Sequence, residues 1–132
     1  MRIYLSYRFT GADQVELKQD MELICAALSA AGHEPFCALW TTESRMEKKF
    51  THKQVLDFCY GELDKCDAVL AYVSSDKKSE GMLLEIGYCL AKGKRLFLAI
   101  KRGVSTVFLR EISEKVIEFD DVDGLCKELA KF

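Results

Sequence analysis

No apolar run in this chain approaches the ~20 residues that a membrane span requires. The longest, around Asp67 to Val73, is bounded by polar residues on both sides, which excludes a transmembrane role. The opening residues, Met1 to Phe9, alternate like a strand and lack the apolar stretch and small-residue cleavage site of a signal peptide, so a cytoplasmic location is expected. A charge excess of one sign is missing as well: 19 basic residues stand against 21 acidic ones, for a net charge of -2. Although Arg45 to Lys53 is locally basic, the whole carries no positive field for a polyphosphate backbone, and neither nucleic acid nor membrane is expected as a partner.

Proline occurs once and glycine 8 times, and the sequence contains no linker, repeat or low-complexity tract. With 49% hydrophobic residues, the 132 positions suit a single domain, residues 1–132, around one core. Six cysteines are present, but no CxxC pair, and Cys25, Cys37, Cys59, Cys66, Cys89 and Cys126 are scattered through apolar segments as reduced core residues would be. Histidine is scarce too. His33 and His52 lie 19 positions apart without a second ligand at zinc-motif spacing, so no metal site is expected.

What is present is a regular alternation of strand and helix patterns. Arg2 to Tyr7 is β-branched and aromatic, and Arg8 to Asp13 carries turn and helix-start residues. From Gln14 to Ala31 apolar residues recur at three and four, with Asp13 to cap the start and Gly32 to follow the end. Glu34 to Leu39 reads as a second strand that Pro35 confines to a beginning or an edge. Thr41 to Lys49 is polar and aperiodic, a surface loop, and Thr51 can cap a helix running to about Lys65. Cys66 to Val73 and Lys94 to Ile100 read as buried strands. Between them Ser79 caps a helix from Gly81 to Lys92. A helical turn near Thr106 to Glu111, a last strand Lys115 to Phe119 and a helix Asp121 to Lys131 complete the chain. The expected fold is α/β, a Rossmann-like or flavodoxin-like three-layer sandwich with a five-stranded, mostly parallel sheet. Ligands in such sheets bind at the carboxyl ends of strands, which selects the loops Tyr7 to Asp13, Trp40 to Phe50 and Ser74 to Gly81.

Those loops exclude several chemistries. The first has one glycine and is neither GxGxxG nor GxxxxGK[ST]. A phospho-acceptor receiver needs acidic residues after the first strand and an aspartate ending the third, where this chain has SerTyrArg and SerSer. A GxSxG elbow is lacking, and two isolated histidines give little support to a Ser or Cys triad. What remains is Glu85, a carboxylate set among apolar residues about two turns into the helix that Ser79 caps. Burial there is costly for an idle charge. The plainer account puts Glu85 on the solvent face and makes Gly81 and Gly87 small packing residues, though two glycines in one short helix cost roughly 1 kcal/mol each against alanine.

The stretch from Ser74 through Ser79, Gly81, Met82, Glu85, Gly87 and Tyr88 to Gly93 and Lys94 closely resembles the signature of the nucleoside 2-deoxyribosyltransferase family. That signature has a glycine four positions before the glutamate of a Glu-Leu-Gly-Tyr/Arg-Ala element, with Gly-Lys following. Ile3, Tyr4 and Leu5, Gly11 in the first loop, and Asp67 opening the strand before the motif extend the resemblance over roughly residues 2 to 100. It implies that Glu85 is the nucleophile on the anomeric carbon, that Tyr4 orients it, and that no cofactor is required. Members acting on free nucleosides carry an aspartate six positions before the nucleophile, whereas members that hydrolyse nucleoside monophosphates carry a serine, as Ser79 here. A 5′-phosphate is therefore implied, with Arg8, Thr10 and the amides around Gly11 as further donors, although Ser79 can equally be a plain helix cap. Asp76 is a candidate proton donor to the leaving base, or simply a solvated loop aspartate. Ser6, Tyr7, Phe9, Trp40, Asp67, Gly81 and Met82 complete the candidate substrate contacts. The family's sites are completed across subunit contacts, and Phe58, Tyr60 and Trp40 offer apolar surface, so a homodimer acting on a small-molecule nucleotide or nucleoside is expected. A non-catalytic nucleotide-sensing module and a TIR-like domain that cleaves NAD or binds its derivatives are the alternatives.

Overall fold

The computed structural model describes residues 1–39 and 49–132. In chain order these form β1 (Arg2–Tyr7), α1 (Gln14–Ala30), β2 (Glu34–Cys37), α2 (His52–Asp64), β3 (Ala68–Val73), α3 (Glu80–Ala91), β4 (Arg95–Lys101), α4 (Leu109–Ile112), β5 (Lys115–Phe119) and α5 (Val122–Leu129). The strands pair in the order β2-β1-β3-β4-β5, every neighbour parallel, so the chain reverses direction across the sheet between β1 and β3.

The helix starts follow from their caps. Asp13, Thr51, Ser79 and Asp121 each accept a backbone N–H from three residues on, and the Thr51 N–H donates in return to Gln54 Oε1, which makes a capping box. The helices then divide between the two faces of the sheet according to their apolar stripes. Leu17, Met21, Ile24 and Leu28 of α1 and Leu125 and Leu129 of α5 pack on Ile3, Leu5, Leu70 and Phe97. On the opposite face, Leu63 of α2 and Met82, Ile86 and Cys89 of α3 pack on Tyr4, Val69 and Leu98. Because side chains alternate along a strand, the parity that buries Ile3 and Leu5 under α1 turns Tyr4 and Ser6 toward α2 and α3. That alternation decides which residues of β1 can meet α3.

Two boundaries differ from the sequence pattern. The second strand stops at Cys37, the last residue of its ladder with β1, opposite Leu5; Ala38 and Leu39 are buried beyond it. Pro35 lies on this edge strand, where a missing N–H costs no ladder bond to a further neighbour. The third strand begins at Ala68, because the Cys66 N–H still closes the end of α2 on the Leu63 carbonyl. All six cysteines are free thiols. Among the described residues no helix is long and apolar enough to cross a membrane.

Candidate active site

Glu85 lies one helical turn past Met82 and one before Cys89, on the stripe of α3 that faces the sheet, and it is only 8% exposed. The solvent-face account of this residue is therefore wrong. Helical spacing puts residues 82, 85, 86 and 89 on one side, and three of the four are apolar. The carboxylate meets the two residues of β1 that share its face of the sheet. Ser6 Oγ donates to Glu85 Oε1 at 3.3 Å, and the Tyr4 hydroxyl also hydrogen-bonds the carboxylate. Burial pushes the Glu85 pKa from an ordinary 4.5 up to about 7, while the two hydroxyls oppose that rise by favouring the ionised form. Tyr4 is held well above the usual phenol range, first by burial and then by the charge of Glu85, and so remains a donor. Its ring stacks on Phe36 at 5.7 Å, which fixes the direction of the hydroxyl.

A cavity of about 710 Å³ opens over this carboxylate, walled by β1 and its loop on one side and by α2 and the start of α3 on the other. Tyr4, Tyr7, Arg8, Phe9, Thr10, Ser79, Gly81 and Met82 line it together with Glu85. Ser6 stands behind, bonded to the carboxylate. Gly11 takes φ 76°, a left-handed turn, and a Cβ there would come within 3.1 Å of Arg8 Nη1; that guanidinium donates to the Thr10 carbonyl at 3.0 Å. A Cβ on Gly81 would meet nothing nearer than Ser79 Oγ at 4.0 Å, so its absence leaves space at the cavity mouth. Ser79 Oγ accepts the Met82 N–H at 3.2 Å as a helix cap while still lining the cavity.

Two residues singled out from the sequence stand elsewhere. Asp67 precedes β3 at the amino-terminal edge of the sheet, opposite the cavity, where its Oδ2 accepts the Arg2 N–H at 2.8 Å. Its carboxylate is bonded at the start of β1, and Asp67 does not line the cavity over Glu85. Asp76 accepts the Ser105 N–H at 3.0 Å and lines a second, larger cavity rather than the one over Glu85. Trp40 lies outside the described residues. His52, Cys59 and Lys78, which no motif in the sequence marks as site residues, also line the Glu85 cavity. A signal for His52 was available: it is the first residue of α2, and in a parallel α/β sheet helix starts lie at the carboxyl edge where ligands bind. Among the described residues no group of three or more His, Cys, Asp or Glu could hold a metal ion.

A buried carboxylate poised near neutrality, held by two hydroxyls at the floor of an open cavity, can act as a nucleophile or stabilise a developing cation. No curated protein matches the chain in sequence. Among solved structures, the Clostridium botulinum CMP N-glycosidase BcmB superposes with a TM-score of 0.72 at 19% identity, covering 98% of this chain and 97% of that one. A 2-deoxyribosyltransferase from Bacillus psychrosaccharolyticus gives 0.66 at 16% identity, over 100% and 92%. The SEFIR domain of the IL-17 receptor B gives 0.56 at 11%, over 99% and 95%, so at these identities the likeness concerns the fold. The family model for nucleoside 2-deoxyribosyltransferase, in contrast, matches residues 3–127. The chain belongs to the nucleoside 2-deoxyribosyltransferase family.

Proposed function

We propose that the protein cleaves the bond between base and sugar of a 5′-nucleotide, with Glu85 as the nucleophile. The observation that carries this reading is the buried Glu85 carboxylate, bonded by Ser6 and Tyr4 at the floor of the cavity. Breaking an N-glycosidic bond passes through an oxocarbenium-like state. An ionised carboxylate in an apolar site stabilises that positive charge far better than one in water. In the first step a lone pair of Glu85 forms a bond to C1′ while the C1′–N bond breaks, and the base leaves with that electron pair and takes up a proton. His52, an exposed residue, lines the same cavity. In the second step water, or a second base, attacks C1′ and returns Glu85 as its carboxylate. A folded pKa of about 7 leaves roughly half the protein ionised at neutral pH, and makes the carboxylate a better nucleophile than one of ordinary acidity.

Ser79 and the first turn of α3 supply the phosphate site in this reading, with Arg8 and Lys78 adding positive charge beside it. In the same reading the protein is a dimer through the outer face of α3, where Leu83, Leu84 and Leu90 are exposed. A second copy would cover them. Phe58, in contrast, sits near Phe36, and Tyr60 stacks on Tyr88 at 4.2 Å, so these rings are partly used within the chain. The deciding experiment is a screen of ribo- and deoxynucleotides for release of free base, with Glu85→Ala as control. Base release that Glu85→Ala abolishes supports the reading. Tight binding without turnover marks a nucleotide-sensing module instead.

A further inference from the structure

The cavity over Glu85 does not stand alone on the carboxyl edge of the sheet. It shares Arg8, Lys78, Ser79 and Met82 with a neighbouring space of about 1110 Å³, bounded by α1, the loops after β3 and β4, and the start of α5. Ligand pockets commonly measure roughly 300–1,000 Å³. The Glu85 cavity is thus sufficient by itself for a base and its sugar, and the adjoining one has room for a second moiety of similar bulk. We propose that the substrate is a dinucleotide whose two halves are joined through a diphosphate. The base–sugar bond to be broken lies at Glu85, the diphosphate crosses the shared residues, and the second nucleoside fills the larger cavity. This rests on the reading of Glu85 given above.

Charge at the junction supports it. The ammonium groups of Lys77, Lys78 and Lys101 make no hydrogen bond or ion pair among the described residues, and all three line the larger cavity. Its five aspartates each have a partner: Asp13 and Asp121 cap helices, Asp20 accepts the Tyr72 hydroxyl at 2.8 Å, Asp76 accepts the Ser105 N–H, and Asp120 pairs with Arg102 at 3.0 Å. Arg8 and Lys78, the two cations common to both cavities, stand where a diphosphate crossing from one to the other would pass. Glu16, on the α1 wall, is an uncommitted acceptor suited to a ribose diol.

Shape supports it as well. Val107 and Phe108 stand 72% and 68% exposed on the rim, apolar surface that a second base would cover by stacking. The cavity is also held in form without a ligand, since the Asp76–Ser105 bond ties the loop after β3 to the loop after β4.

The test compares nicotinamide adenine dinucleotide, diadenosine diphosphate and cytidine–adenosine diphosphate with the matching mononucleotides, measuring kcat/KM for base release. At least one dinucleotide is expected to exceed its mononucleotide tenfold or more, and Lys101→Ala and Phe108→Ala are expected to cut that ratio at least fivefold. A ratio of one or less, or a ratio that neither variant changes, overturns the proposal. Base release from mononucleotides alone sinks the dinucleotide and leaves the Glu85 reading intact, whereas release that survives Glu85→Gln sinks the Glu85 reading itself. If no nucleotide is turned over, titration of the Glu85→Gln protein decides the matter: the dinucleotide is expected to bind at least tenfold more tightly than the mononucleotide, and equal or weaker binding refutes it.

Discussion

Replacing Ser6 by alanine removes one of the two hydroxyls that favour the ionised form of Glu85 and leaves the apolar surroundings unchanged. The Ser6–Glu85 bond is 3.3 Å, longer than the ~2.7–2.8 Å usual for O–H···O, so its contribution falls at the lower end of the ~1.5–3 kcal/mol for a bond to a charged group. At about 1.4 kcal/mol per pKa unit, that raises the Glu85 pKa by roughly one unit above its starting value of about 7. The ionised fraction at pH 7 then falls from about half to about a tenth, and kcat/KM with it by roughly fivefold. At pH 9 both proteins are ionised and the difference closes. The assay is the pH profile of kcat/KM for base release, whose acidic limb is expected near pH 7 for the wild type and near pH 8 for Ser6→Ala. A limb near pH 4.5 in the wild type refutes the reasoning, as does a Ser6→Ala defect of the same size at every pH, which would mark lost packing.

The same raised pKa has a cost in stability. Folded Glu85 holds its proton more tightly than the unfolded chain does, so the group's contribution is fully present below pH 4.5 and is lost as pH rises through about 7, an amount of about 3 kcal/mol. Glu85→Gln, which mimics the protonated form, is therefore expected to melt above the wild type at pH 8 and level with it at pH 4, by scanning calorimetry; equal melting at both pH values contradicts this. Ser79→Ala should lower kcat/KM for a nucleoside monophosphate at least tenfold more than for the nucleoside, beyond the ~1 kcal/mol of stability lost with the cap; equal effects in steady-state kinetics remove the phosphate from Ser79. Light scattering should give twice the monomer mass for the wild type and a monomer for Leu84→Glu, and a monomeric wild type at working concentration rules out the second copy on α3.

The fold was readable because each element carries its own marks. In α1 the cap, the stripe and the following glycine agree, and in β3 a six-residue apolar run admits nothing but a central strand. Glu85 was legible from its apolar neighbours and from the motif, and Tyr4 and Ser6 share a face simply because they are two apart on a strand. Which face that is depends on how α1 and α3 divide between the layers, and a single sequence does not fix it. Loop side chains have no period to betray their direction, so Asp76 turned to the Ser105 amide and away from Glu85 without any local signal. Matching a motif position says nothing about which end of the sheet a residue occupies, and the Asp67 carboxylate accepts the Arg2 N–H at the end away from Glu85. His52 carries no metal-site or triad spacing, and only its place at the start of α2 brings it to the cavity.

The central claim is that a covalent bond forms between C1′ and Glu85. A 2-deoxy-2-fluoro nucleotide tests it directly, since the fluorine destabilises positive charge at C1′ and slows the release of a glycosyl-enzyme once formed. Protein quenched in acid during turnover, digested and analysed by mass spectrometry, is expected to carry the added mass of the sugar phosphate on the peptide containing Glu85, with none in Glu85→Gln. Release of base with no adduct on that peptide, or with an adduct on another residue, contradicts the account.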